Sequence, residues 1–151
     1  MTGSKISYSI MLTILALYSC NQDKQASAQT ELNNKSTDCI RYILSQDDSL
    51  GKIRNEASFI MPLSASIHNY TSDLQALNYK LCPTDFTIAF NNHIKAWQEM
   101  IPTVDPYSEM RGEMHYLFKE IENLDPDQFN LALENIWDTW DVVEKSKLQN
   151  K

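Results

Sequence analysis

The sequence predicts an all-α fold, an up-and-down antiparallel bundle of four or five helices, and three observations carry that reading. Three glycines and five prolines in 151 residues are too few for the turns of a sandwich or barrel. From Thr37 onward the apolar residues recur at spacings of three, four and seven, the period of an amphipathic helix. Cys82-Pro83-Thr84-Asp85, Asp105-Pro106 and Asp125-Pro126 each set a proline in or beside a first helical turn, with an aspartate near the positive end of the helix dipole. The length allows one domain with a modest core.

The amino-terminal stretch stands apart from that domain. Met1 to Ser9 is short and mostly polar with one cation, Lys5, and leads into an apolar run from Ile10 to Leu17. This is the layout of a signal peptide. Asn21-Gln22-Asp23-Lys24 closes the run well short of the roughly 20 apolar residues that a membrane-spanning helix needs. Leu17-Tyr18-Ser19-Cys20 resembles the lipobox of bacterial lipoproteins, with leucine three before the cysteine and a small residue just before it. The resemblance covers residues 1–20 only. It implies removal of residues 1–19, a diacylglycerol on the Cys20 thiol, usually an acylated new amino terminus, and a lipid-anchored place in the bacterial cell envelope, facing the periplasm or the cell surface. Two or three acyl chains, at roughly 0.8 kcal/mol per buried methylene, make a durable anchor. Residues 20–36 then read as the lipidated cysteine and a polar, flexible tether with a reach of roughly 20–25 Å.

Residues 37–147 form the expected bundle domain and 148–151 a tail. The first helix runs from about Asp38 to Ile60, with Cys39, Ile43, Leu50, Ile53, Ala57 and Ile60 on its stripe. Pro62 breaks the helical path, and the second helix runs from about Leu63 to Asn78. A single helix across both would be about 60 Å long and would project from the bundle, so reversal is favoured. The third helix, from about Thr84 to Ile101, carries Phe86, Ala89, Phe90, His93, Ile94, Trp97 and Met100, a stripe wide enough to face two neighbours. A fourth is expected to start at Asp105-Pro106, with Tyr107, Met110, Met114, Leu117, Ile121 and Leu124 inward. A fifth starts at Asp125-Pro126, with Phe129, Leu133, Ile136, Trp140 and Val143 inward and Trp137 beside them.

Reversal at Pro62 would bring Cys39 and Cys82 to one end of the bundle, where a disulfide becomes geometrically available; the alternative is two separate buried thiols. Beyond the leader there are twenty acidic and twelve basic side chains, a net charge of −8, and the excess is concentrated between Glu99 and Glu144. That surface repels nucleic acid and suits a cationic partner or loosely held divalent ions, although several of the acids belong simply to helix starts and solvated faces.

Catalytic and cofactor motifs are missing. There is no Cys-x-x-Cys-His for haem attachment, and Ala65, Phe90 and Gly112 stand three residues before His68, His93 and His115, where a diiron bundle needs glutamate. No zinc motif, phosphate-cradling glycine loop or serine elbow occurs. The expectation is a protein that is not an enzyme, with no metal and no cofactor. His93 lies on an apolar face one turn before Trp97, and with Met110 or Met114 it could serve a haem; core packing is the plainer reading of all three. Trp97, Trp137 and Trp140 could floor an apolar pocket or a partner groove, or simply fill the core. The leading expectation is an envelope lipoprotein, anchored to a membrane through Cys20, whose acidic bundle binds a protein partner as an accessory or immunity-like module. The alternative is a bundle holding haem or an apolar small molecule in its core.

Overall fold

A computed structural model describes the backbone of residues 7–149 and the side chains of residues 29–148. The lipobox side chains, with the Cys20 thiol, lie outside the described residues. Five α-helices and no strand occur among the described residues: α1 (Ser7–Ala57), α2 (Leu63–Gln75), α3 (Thr84–Val104), α4 (Met114–Leu124) and α5 (Pro126–Gln149). The fold is an all-α helical bundle. Among the described residues no helix is long and apolar enough to cross a membrane.

The chain divides into two compact units, Met1–Lys35 and Ser36–Lys151. In the first, residues 29–35 belong to α1 and are exposed, a helix where composition suggests a flexible tether. Pairs one turn apart, Gln29 Nε2 donating to Asn33 Oδ1 (3.0 Å) and Lys35 Nζ to Glu31 (2.7 Å), are the local reason. Leu32, the one large apolar residue there, is exposed.

In the second unit α1 ends at Ala57, the chain turns through residues 58–62, and α2 returns antiparallel to α1. Pro62 (φ −54°, ψ 143°) supplies the extended residue before α2. Ser58 Oγ lies 2.7 Å from both the Asn55 and the Gly112 carbonyl oxygens, which share its one proton, and Gly112 N–H returns a bond to the Ser58 carbonyl (3.2 Å). The turn is thereby tied to the loop before α4. At the other end of the hairpin Cys39 and Cys82 stand at disulfide distance, S–S 2.06 Å and Cα–Cα 5.1 Å.

α3 is the central element. It runs antiparallel to α2, with Tyr70 on Trp97 (5.6 Å between ring centres) and Tyr79 on Phe90 (6.1 Å), and antiparallel to α5, with His93 on Trp140 (5.1 Å). Its expected broad stripe is buried from Phe86 to Val104. Phe86 and Phe90 are fully enclosed, so truncating either to alanine removes about 3–5 kcal/mol of burial and packing.

Three expectations are corrected. Asp105-Pro106 starts no long helix: Asp105–Tyr107 is one 3-10 turn, and α4 begins at Met114. Gly112 is the reason, since its φ of 155° interrupts any helix through this loop and Glu113 (φ −66°, ψ 138°) then caps α4, its Oε2 accepting from Tyr116 N–H at 3.1 Å. Ile53 of α1 and Ile60 of the turn after it face outward at 60% and 82% exposure, while Arg54 is buried at 9%. Cys39 and Ile43 are buried and Leu50 packs against the core as expected, but beyond Ile43 the inner stripe includes Asp47, Arg54 and then Ser58 of the turn, where the apolar count places Ile53 and Ile60. Leu124, also expected inward, is exposed at the end of α4.

An aromatic groove over the central helix

The polar members of that inner stripe open one wall of a groove. Its floor is α3, contributing His93 and Trp97, with Tyr70 of α2 beside them; α1 forms one rim, α4 and α5 the other. The groove encloses about 600 Å³, within the usual range for small-molecule sites. Met114, Phe118, Trp137 and Trp140 line the far side, and Trp137 is 61% exposed although it is a large apolar ring.

Arg54 is the unusual residue. Its guanidinium carbon lies 3.9 Å from the Trp97 ring centre and 4.4 Å from that of Tyr70, so the cation sits against two aromatic rings. Its polar contacts are long ones from Nε and Nη2 to Asn55 Oδ1 (3.4 and 3.3 Å) and one with the Tyr70 side chain. No acidic side chain among the described residues is within ion-pair distance of it. Asp47, the nearest source of compensating charge, accepts the Tyr70 hydroxyl at 2.6 Å. Burial lowers the Arg54 pKa and raises that of Asp47, the Tyr70 hydroxyl and Arg54 partly opposing the latter; the Tyr70 hydroxyl itself is raised well above its ordinary value by burial and by Asp47.

His93 is held on both ring nitrogens. Trp97 Nε1–H donates to Nε2 at 3.2 Å, and Nδ1 meets Thr139 Oγ1 at 3.1 Å. Thr139 Oγ1 in turn lies 2.8 Å from the Asn135 carbonyl and 2.9 Å from that of Ile136. These bonds select the neutral tautomer protonated at Nδ1. Burial, the largest cause, lowers the His93 pKa to about 4; the Ile136 carbonyl pulls it up and the Arg54 charge pushes it further down. The lone pair that a metal would need is the one that Trp97 occupies.

Protein-family models, curated proteins and solved structures were all compared with the chain, and none matches.

The structure thus gathers His93, Trp97, Met114, Trp137 and Trp140 in one groove and leaves Met110 outside its lining, in the loop after the 3-10 turn. Cys39 and Cys82 meet at the far end of the α1–α2 hairpin. Sequence reasoning missed Arg54 and Asp47. Their seven-residue separation, in register with Ile40 and Ile43, was the available signal, and the neighbouring Ile53 concealed it. Among the described residues no three His, Cys, Asp or Glu side chains are grouped to hold a metal ion. The acidic stretch instead borders a second concavity of about 630 Å³, where Glu99, Asp125, Glu134 and Asp138 stand around Pro102 and Pro106.

Proposed function

We propose that this chain is a lipid-anchored protein of the bacterial envelope whose helical domain is a binding module, and that the aromatic groove over α3 is its ligand site. The lipobox-like Leu17-Tyr18-Ser19-Cys20 supports the anchor and the address. One observation carries the groove: a buried cation laid on Trp97 faces open space between Trp137, Trp140 and Phe118. Large rings beside an enclosed charge supply both binding area and orientation to a guest. With both His93 nitrogens already engaged, an apolar organic ligand is the better fit to this space than a haem.

A second reading is a protein partner, and a separate surface favours it. Phe59 and Ile60 on the α1–α2 turn are 57% and 82% exposed, an apolar tip of the kind that partners cover. A photoreactive phenylalanine analogue placed at Trp137, and separately at Ile60, tests the two in intact cells. The groove reading expects a small-mass adduct at position 137. A protein adduct at position 60 with nothing at 137 would replace it with the partner reading, and adducts at neither position remove both.

A further inference from the structure

We propose that the groove takes a small apolar monocarboxylate, an aromatic or aliphatic acid whose carboxylate is held by Arg54 and whose body lies against Trp137, Trp140, Phe118 and Met114. This rests on the groove being the ligand site.

Arg54 is about nine-tenths buried without an ion-pair partner among the described residues. Enclosing an unpaired charge is unfavourable by several kcal/mol, and the two aromatic rings offset only part of that. The guanidinium has five N–H donors, against one amide oxygen at long range and the Tyr70 side chain. A planar, forked cation with donors to spare, at the floor of an open groove, matches a carboxylate better than any neutral polar group.

The remaining charges of the lining set the ligand's charge. Lys52 is paired with Asp48 at 2.6 Å, Asp47 holds the Tyr70 hydroxyl, and Lys119 and Glu122 stand on the opposite rim. Beside Arg54 the lining thus holds two cations, Lys52 and Lys119, against three acids, Asp47, Asp48 and Glu122. One negative charge is accommodated at Arg54, whereas a phosphate monoester, approaching two charges, would be repelled by Asp47, Asp48 and Glu122. The surrounding rings reject a small hydrophilic acid, because covering Trp137 and Trp140 requires an apolar body. A chain of formal net charge −7 repels anions at a distance, so affinity must come from contact inside the groove.

Calorimetric titration of the full chain in nanodiscs with naphthoate and with its neutral counterpart naphthamide tests the proposal. The acid is expected to bind at least about tenfold more tightly than the amide, and Arg54→Gln to bring the two to equal affinity. Trp137→Ala changes an exposed ring and is expected to weaken both probes about tenfold while keeping the preference for the acid. Should Arg54→Gln fail to fold, the acid-over-amide preference of the unaltered protein still decides. Equal affinity there, or a preference that survives in a folded Arg54→Gln, overturns the carboxylate and leaves the groove as a ligand site. Binding of neither probe overturns the small-ligand groove altogether.

Discussion

His93 is a group that is neutral by construction. Its folded pKa, lowered to about 4, lies below the ordinary 6.5, so between those values the unfolded chain takes up a proton that the folded one refuses. Stability is therefore unaffected by this residue above about pH 7 and declines as the pH falls from 6.5 toward 4, by about 3 kcal/mol at the limit. Urea denaturation followed across that range should show the decline, and in His93→Gln the same interval should be flatter. An identical slope in both proteins would show that other groups dominate. The position of His93 on α3's apolar face was legible in the sequence, because Phe86, Phe90 and Trp97 fix the helix phase around it. Its hydrogen bond to Thr139 was not, since the partner lies 46 residues away and only folding defines their distance.

Helix starts show how far local signals reach. Asp125-Pro126 begins α5 as expected, with Phe129 N–H returning to the Asp125 carbonyl at 3.2 Å. Asp105-Pro106 has the same chemistry and yields a single 3-10 turn, because Arg111-Gly112 lies between it and the apolar stripe of α4. The residues downstream of each Asp-Pro pair make the difference. Glu113 carries the start instead, and Glu113→Ala should lower stability by about 0.5–1 kcal/mol, read as a shift of the denaturation midpoint with an unchanged slope. Gly112→Ala should cost more, about 1–3 kcal/mol, since the strain at φ 155° is independent of the ordinary 3.6 Å contact its methyl would make with Leu117. An Ala at 112 that proves neutral would mean the loop readily takes another path. Only the carboxyl-terminal end of the α1 stripe was misjudged, Cys39, Ile43 and Leu50 being inward as expected: isoleucines at 53 and 60 satisfy the helical count equally well, and the burial of Arg54 is decided by Tyr70 and Trp97 on other helices.

For the whole molecule, the all-α bundle and the reversal at Pro62 were readable from periodicity and proline placement, and the cysteine pairing followed from the reversal. The groove was only half readable. Its tryptophans stood out as residues that could floor a pocket, whereas the cation between Tyr70 and Trp97 depends on three helices meeting. The anchor is a matter for labelling: cells fed a palmitate analogue should label the parent chain and leave Cys20→Ala unlabelled, and label retained by that variant would remove the lipobox reading. Linking residues 43 apart in sequence, a Cys39–Cys82 bond restricts the unfolded chain by about 3–4 kcal/mol, and intact mass after alkylation without reductant should show no modified thiol at either position.

That bond has a topological consequence. The α1–α2 turn, with Phe59 and Ile60 at its tip, lies inside the covalent ring that Cys39 and Cys82 close. A protease that nicks the turn opens the ring without releasing a piece. The nicked chain should run as one band without reductant and as two with it, and Arg54 and Tyr70, now on separate segments, should remain tethered across the break.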